Sequence, residues 1–201
     1  MQARTAEQTS EEIRIRILDA AEDRFRDYGY SKTTMAEIAE DVQMSASNLY
    51  RYFENKHDIA AACASRCMGE RVDVLREQAR QPGQTAEQRL RAFVLGTLRY
   101  TQEAVQSQPK INELVATVTS QRQDIVHEKI QAQCALLAEI LAHGNETGEF
   151  AIDDVIATAR AVYATLTLFE VPIFVPLYSQ KEFEAIAQQV VELLLKGLVR
   201  R

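Results

Sequence analysis

The sequence predicts an all-α protein in which an N-terminal three-helix unit with a helix-turn-helix precedes a larger helical domain. Apolar residues recur at spacings of three and four along most of the 201-residue chain, as on one face of an amphipathic helix. Capping boxes mark helix starts at Thr34 with Glu37 and at Ser179 with Glu182. Gly29 and the Pro82-Gly83 turn mark helix ends.

The first predicted helix follows an arm of about nine polar residues and begins near Thr9, which pairs with Glu12 as a capping pattern. Its apolar side chains share one face and should supply the core of the N-terminal unit. These side chains are Ile13, Ile17, Ala20, Ala21 and Phe25.

Two short helices separated by a tight turn are predicted after Gly29. The first runs from Met35 to Asp41 and turns an apolar face inward. Ser45 is a good N-cap for the second, whose Ala46, Leu49 and Phe53 turn inward. The side chains left outside are Ser47, Asn48, Tyr50 and Arg51.

Those outward side chains provide the hydroxyl, amide and guanidinium groups that contacts to base edges and phosphates require. By periodicity alone, a solvated surface helix fits them equally well. The next segment favours DNA, because Asn55 can cap a third helix with Asp58 and place Lys56 and His57 in its first turn. Free N–H groups and the helix dipole there attract phosphate.

Roughly the first 60 residues resemble the TetR-type transcriptional regulators. The matching residues are Ile17, Leu18, Ala20, Ala21, Phe25, Gly29, Tyr30, Thr33, Thr34, Ile38, Ala39, Ser45, Leu49, Tyr50, Tyr52, Phe53 and Lys56. The resemblance implies phosphate or sugar contacts by Thr33, Thr34, Ser45, Tyr50, Tyr52 and Lys56, and base-edge contacts by Ala46, Ser47 and Asn48. It also implies a homodimer on a pseudo-palindromic duplex operator, with repression relieved by a small-molecule effector.

The turn between the two short helices departs from the family pattern. The family usually has Ala-Gly-Val-Ser there, and this chain has Val42, Gln43, Met44 and Ser45. A turn residue with positive φ favours glycine, so Gln43 is expected to carry strain or to force a different turn.

Charge limits how strongly such a protein can hold DNA. The chain carries a net charge of −6, and residues 1–57 hold eight Lys and Arg against eleven Asp and Glu, a net charge of −3. A basic domain is the usual footprint of nucleic-acid binding. We therefore expect modest affinity, which depends on dimerisation and on a local patch of Lys32, Arg51 and Lys56 around the outward helix.

The rest of the chain predicts a second domain, so we divide the sequence into residues 1–57, for DNA binding, and 58–201, for ligand binding and dimerisation. A helix from Asn55 to about Arg80 connects the two parts. Further helices are expected from Thr85 to about Gln106, from Pro109 for a short stretch, and from Ser120 to His143. The segment 144–150 resembles the loop that TetR-type ligand domains place before their penultimate helix.

The last two helices, expected over 154–169 and from Ser179 to Val199, are the most apolar part of the chain. The stripe on the final helix is wider than one packing seam, which predicts a homodimer through these two helices. A purely intramolecular core is the alternative. The stripe comprises Phe183, Ile186, Ala187, Val190, Val191, Leu194, Leu195 and Leu198. Pro172 and Pro176 should end or kink the preceding helix.

Aromatic and polar residues of the second domain are candidates for binding the effector, because small-molecule sites combine apolar walls with a few polar groups. Each candidate can also be an ordinary core or surface residue. The candidates are Phe93, Tyr100, His127, Tyr163, Thr167, Phe169, Phe174 and Tyr178.

No metal site or cofactor is expected, because His127 stands alone and the three cysteines lack a metal-binding spacing. Cys63 and Cys67 share a helix face, which fits either a thiol sensor or core packing. Without a signal peptide or a long apolar run, the protein is expected in the cytoplasm and outside membranes.

Two other classes of function stay open. One is a ligand-independent architectural DNA-binding protein with the same N-terminal half. The other is an enzyme, against which stand the lack of a glycine-rich phosphate loop, of a nucleophile elbow and of a clustered acid–base set.

Overall fold

The computed structural model describes residues 2–108 and 110–198, and these form ten α-helices and one 310 helix, as the sequence predicts for an all-α protein. The α-helices are α1 (Gln2–Asp27), α2 (Met35–Asp41), α3 (Ala46–Leu49), α4 (Lys56–Ala79), α5 (Ala86–Ser107), α6 (Ile111–Gln121), α7 (Gln123–Thr147), α8 (Val155–Thr165), α9 (Thr167–Glu170) and α10 (Gln180–Leu198). The 310 helix is Pro172–Leu177. None of the described helices is long and apolar enough to cross a membrane.

Packing divides the chain into two compact units. Unit 1 comprises residues 1–67 and 107–126, and unit 2 comprises residues 68–106 and 127–201. By packing, α6 therefore belongs with the N-terminal helices, and α4 begins in unit 1 and ends in unit 2. The functional division at residue 57 stays a prediction.

The core of unit 1 is the one that the apolar spacings predict. Ile17 and Ala21 of α1 are fully buried with Ile38 of α2, Leu49 of α3 and Ile59 of α4. Gly29 follows the end of α1 with a φ of 90°, where its N–H bonds to Phe25 O at 3.1 Å. This left-handed conformation is open to glycine without a steric cost, which is why the helix ends there.

The predicted start of α1 at Thr9 is wrong, because the helix begins at Gln2. The stretch that was expected to be an arm contains alanine, arginine, glutamate and glutamine, all good helix formers, and neither Gly nor Pro. Nothing in it stops a helix that the buried face of α1 already stabilises.

The core of unit 2 is built from the end of α4 and from α5, α7, α8, α9 and α10, around three fully buried phenylalanines, Phe93, Phe169 and Phe183. Phe183 packs on Phe169, with ring centroids 5.4 Å apart, and stacks on Tyr178 at 4.8 Å. On α10, Ala187, Val191, Leu195 and Leu198 complete the buried side of the predicted stripe.

Three predicted boundaries in the second half need correction. The helix expected over 120–143 is α7, from Gln123 to Thr147, separated from α6 at Arg122. The helix expected over 154–169 ends at Thr165, and α9 and the 310 helix follow. Pro109, where a short helix is predicted to begin, and Val199, where the last helix is predicted to end, lie outside the described residues.

The expected loop at 144–150 is helical as far as Thr147, and Gly144 lies inside this helix at a close contact. The ring of Phe150 folds back onto the backbone of α7, and a Cβ atom at position 144 would lie 2.1 Å from its Cδ2 atom. Glycine here serves close packing inside a helix, not a turn.

We therefore expect Gly144→Ala to lower the free energy of unfolding by about 1–3 kcal/mol, since the buried Phe150 ring has to move. Gly69→Ala is the matched control, because Gly69 is also helical and a Cβ there would meet nothing within 4 Å. That control should raise the free energy of unfolding by about 0.5–1 kcal/mol. Urea denaturation of both variants measures the pair, and equal effects would contradict this packing.

Candidate nucleic-acid interface

The turn between α2 and α3 has the hydrogen bonds of a Schellman motif. Met44 N bonds to Ala39 O at 2.9 Å and Gln43 N bonds to Glu40 O at 3.0 Å. This motif needs a left-handed residue, and Gln43 has a φ of 58°, the only positive φ of a non-glycine among the described residues. The strain expected at Gln43 is therefore present, and the usual turn is kept.

Both helix starts of the motif are capped as predicted. Thr34 and Glu37 form a reciprocal capping box at α2. The Ser45 hydroxyl accepts the Asn48 N–H at 3.2 Å at the start of α3. The hydrogen bonds from Thr34 also lower the pKa of the Glu37 carboxyl below its ordinary value. These caps fix where the outward side chains of α3 begin.

The outward surface predicted for α3 is exposed in the structure. Ser47, Tyr50 and Arg51 are exposed, and Tyr50 presents 52% of its surface to solvent. Thr34 and Ser45 are exposed beside them, whereas Ala46, Asn48 and Tyr52 are half-buried. Hydroxyl, phenol and guanidinium groups thus share one accessible surface.

Thr33 lies apart from this surface. It is 1% exposed, and its hydroxyl donates to Gly29 O at 2.9 Å. Its side chain holds the loop between α1 and α2 and is not available to a phosphate. The family resemblance does not reveal that Thr33 is buried, because both Thr33 and Thr34 fit the family pattern. Only the fold shows that one is buried and the other exposed.

Lys56 anchors the same loop. Its ammonium group donates to Tyr30 O at 2.7 Å and to Thr33 O at 2.8 Å, and lies 4.3 Å from the centroid of the Tyr30 ring. Two of its three N–H bonds are therefore used inside the unit. Asn55 caps α4 as predicted, accepting the Asp58 N–H at 3.0 Å.

Most of the arginines of unit 1 are held internally. Arg24 forms a bidentate pair with Asp41, Arg66 pairs with Glu22 and Asp19, and Arg26 pairs with Asp23. Arg14 and Arg16 donate to the carbonyls of Tyr52 and Val42 at 2.8 and 3.2 Å. Among the described side chains of the predicted basic patch, Lys32 and Arg51 are the exposed cations that form no ion pair. The basic patch is sparse, as the charge count suggested.

Glu113, on α6, is a structural contact of this unit that sequence reasoning missed. Its carboxylate accepts the Ser31 N–H at 2.9 Å and also the Ser31 hydroxyl, and these bonds lower its pKa. Lys110 donates to Asp27 O at 2.8 Å. More than 80 residues separate these partners along the chain, so no local pattern could have shown that α6 holds the loop after α1.

The candidate effector residues of unit 2 do not form one site. Phe93 and Phe169 belong to the fully buried core, while His127 and Thr167 are exposed. Phe174 and Tyr178 are half-buried and pack against the core. Tyr100 and Tyr163 alone lie together in a polar setting, around a buried ion pair.

This ion pair joins Arg71 and Glu170, whose closest atoms are 3.4 Å apart. The Arg71 guanidinium lies 5.3 Å from the Tyr100 ring centroid, and the Tyr163 hydroxyl donates to Glu170 at 2.7 Å. The sequence contains a feature that could have pointed to this ion pair. Glu170 is the only charged residue between Arg160 and Lys181. A lone acid in so apolar a segment is costly to bury without a partner.

Cys63 is buried in the core of unit 1. Burial raises the pKa of the Cys63 thiol far above its ordinary value, which keeps it protonated and supports core packing. No group of three His, Cys, Asp or Glu side chains that could hold a metal ion occurs in the described ranges.

Two family models match the chain. Residues 17–63 match the model for bacterial regulatory proteins of the tetR family. Residues 86–191 match a tetracyclin repressor-like C-terminal domain. The second match alone spans more than half of the chain.

Similar proteins cover nearly the whole length. The fatty acid metabolism regulator protein of Bacillus subtilis (strain 168) is 22% identical over an alignment 200 residues long, which covers 92% of this chain and 94% of that protein. The structure of the fatty acid degradation regulator of Bacillus halodurans has a TM-score of 0.65 at 23% identity, covering 90% of this chain and 94% of that one. A TetR-family transcriptional regulator of Pectobacterium atrosepticum has a TM-score of 0.72 at 20% identity, covering 96% and 97%. At these identities, the structures show a shared fold.

The left-handed backbone of Gln43 can be tested by substitution. We expect Gln43→Gly to raise the free energy of unfolding by about 0.5–1 kcal/mol, because relief of the left-handed backbone outweighs the extra entropy of glycine in the unfolded chain. Ala36→Gly, at an exposed position inside α2, should instead lower it by about 1 kcal/mol. Thermal unfolding of both variants distinguishes the two effects. A destabilised Gln43→Gly variant would show that the glutamine side chain, not its backbone, matters at this turn.

Proposed function

Since the chain belongs to the TetR family of bacterial transcriptional regulators, we propose that it acts as a homodimeric repressor which a small-molecule effector releases from DNA. The single observation that carries this proposal is the exposed surface of Ser47, Tyr50 and Arg51. These residues belong to the segment 45–52, the recognition segment, which has a fixed conformation. Its start is capped by Ser45, and Arg14 and Arg16 bind the carbonyls of Tyr52, at its end, and of Val42, before its start.

The first turn of α3 would enter the major groove, where Ala46, Ser47 and Asn48 face base edges. An amide such as that of Asn48 suits adenine, and the methyl group of Ala46 suits thymine. Thr34, Ser45, Tyr50, Arg51 and Tyr52 would then contact the phosphates on either side. Lys56 has one N–H left that can donate to a phosphate. Its main role is to hold the loop before α2.

A dimer would double this small set of contacts. Two recognition helices that enter successive major grooves on one side of the duplex must lie about 34–36 Å apart. The pseudo-palindromic operator that we propose follows from this symmetry. It also explains how a DNA-binding part with a net charge of −3 can bind with useful affinity.

The dimer interface that we propose consists of α8 and α10. On α10, Leu193 is 71% exposed, and Ile186, Val190 and Leu194 beside it are half-buried. On α8, Ile156 is 56% exposed. The exposed Ala157, Ala161 and Ala164 recur at spacings of four and three, so a second helix can approach closely. A second copy would cover this apolar surface.

The effector would bind in unit 2. The relative from Bacillus subtilis is named for the regulation of fatty acid metabolism, and we propose to seek the effector first among molecules of that metabolism. The effector can change DNA affinity only by the difference between its affinities for the two states of the protein.

The docking is tested on duplexes that the wild-type protein selects from a random pool. Tyr50→Ala and Arg51→Ala should weaken binding to all of them alike, and Arg51→Ala should lower the slope of log K against log[salt] by about two per dimer. Asn48→Ala should instead relax the preference at one position, by about 1–3 kcal/mol. Tyr28→Ala is the matched control, because Tyr28 is 57% exposed outside the recognition segment. Unchanged affinity of the Tyr50 and Arg51 variants, as folded dimers, would refute this docking.

The interface is tested by Leu193→Glu, which should raise the dimer dissociation constant at least about tenfold, since a charge would be buried without a partner. Ile173→Glu is its control, because Ile173 is 60% exposed on the 310 helix and outside the proposed interface. Sedimentation equilibrium of both variants gives the constants. A Leu193→Glu variant that stays as dimeric as the control would place the interface elsewhere.

A further inference from the structure

Contacts within unit 2 join Arg71 to the Thr97 carbonyl and to Glu170, and join Glu170 to Lys129. Gln133 follows Lys129 by one turn of α7, and we refer to these polar side chains of four helices as the cluster. Arg71 comes from α4, Thr97 from α5, Lys129 and Gln133 from α7, and Glu170 from α9. Arg71 is 6% exposed, and Thr97 and Gln133 are 0% exposed. Buried polar groups are normally hydrogen-bonded, so the partners of each member are informative.

Glu170 is well satisfied. Its carboxylate accepts the Lys129 ammonium at 2.6 Å and the Tyr163 hydroxyl at 2.7 Å. Burial by itself raises the pKa of Glu170, but the charges of Lys129 and Arg71 outweigh burial, and the pKa lies below its ordinary value. The carboxylate is thus ionised and keeps its place without a close contact to Arg71.

Arg71 is poorly satisfied by comparison. Its Nη2 atom lies 3.4 Å from Glu170 and 3.5 Å from Thr97 O, both long for hydrogen bonds of a charged group. Its Nε atom has no hydrogen-bond partner. A buried guanidinium with an unused Nε and a loosely held Nη2 presents the edge that binds a carboxylate in bidentate fashion.

Two neutral side chains of the cluster are unpaired as well. The hydroxyl of Thr97 and both polar atoms of the Gln133 amide have no hydrogen-bond partner. Thr97 is next to Arg71 through its carbonyl, and Gln133 lies one turn of α7 after Lys129, on the same face. Unpaired buried groups lower the stability of the protein when no ligand is bound. Their retention suggests that they form hydrogen bonds to a ligand.

We propose that Arg71, Thr97 and Gln133 bind the carboxylate of an amphipathic effector, an inference that rests on the ligand-responsive function proposed above. Arg71 would donate from its Nε and Nη2 atoms, and the hydroxyl and the amide N–H would donate from the sides. The body of the effector would be apolar, because Phe93 lies one turn before Thr97 and Leu137 one turn after Gln133. Both are fully buried.

The position of Arg71 connects this site to DNA binding. Arg71 and Lys56 belong to α4, which runs without interruption from Lys56 to Ala79. An effector carboxylate would replace Glu170 as the anion at Arg71, and Glu170 would keep Lys129 and Tyr163. The pull of α9 on α4 would end, and the helix that holds the loop before α2 would be free to change its tilt.

The test is thermal unfolding of the full-length protein with dodecanoate, methyl dodecanoate and dodecyl phosphate. Dodecanoate should raise Tm by about 5–10 °C at about 100 times its Kd, and the uncharged ester should not. Equal shifts with acid and ester would show apolar binding alone and overturn the proposal. A shift with the phosphate but not with the carboxylate would overturn it too.

Gln133→Met separates ligand binding from folding. The change keeps the side-chain length and removes the unpaired amide, so Tm without ligand should rise. Dodecanoate should bind more weakly, with an apparent Kd at least about tenfold higher. Gln102→Met is the matched control, since Gln102 is also buried, on α5, and is not a member of the cluster. A Gln133→Met protein with a lowered Tm and a normal response would overturn the assignment.

DNA binding measured on the same samples separates this proposal from the proposed function. If the wild-type protein binds no duplex from the random pool, the regulator function fails, and the Tm data still decide the carboxylate site. If it binds DNA and another small molecule releases it while dodecanoate shifts no Tm, the function stands and the site is wrong.

Discussion

The ammonium group of Lys56 is the interaction on which the arrangement of the N-terminal unit depends. Its bonds to the carbonyls of Tyr30 and Thr33 join the first residue of α4 to the loop between α1 and α2. These helices share a core with α3, in which Leu49 is fully buried. The outward surface of Ser47, Tyr50 and Arg51 therefore lies over a packed core. Glu113 of α6 holds the same loop through Ser31.

Most of the arginines of unit 1 position its helices and are not available to attract DNA. Arginines that a charge count would assign to DNA are paired with Asp41, Glu22, Asp19 and Asp23 inside unit 1. Such pairs position helices and leave little positive surface, so non-specific binding should be weak. Under the proposed function, specificity would then come from a few side chains whose geometry is well defined, repeated in a second subunit.

In unit 2, unlike unit 1, several buried polar groups are only partly paired. Glu170 has close partners, whereas Arg71, Thr97 and Gln133 do not. Within a core of phenylalanine and leucine, this unevenness costs stability and is best explained by a ligand. The same long helix carries Arg71 and Lys56, so a poorly satisfied cation and a well satisfied one are parts of a single element.

The sequence alone determined most of the helices, several of their starts and ends, and the core of unit 1, because capping, turn chemistry and apolar spacing act over a few residues. The capping box at Thr34 and the positive φ of Gln43 are of this kind. It could not show that Thr33 is buried beside an exposed Thr34, that Lys56 binds two carbonyls, or that Glu113 bonds to Ser31. It also missed that Arg71, 99 residues from Glu170, pairs with it. Only the tertiary structure decides such contacts, because they join residues far apart in the chain and depend on which face of each helix its neighbours cover.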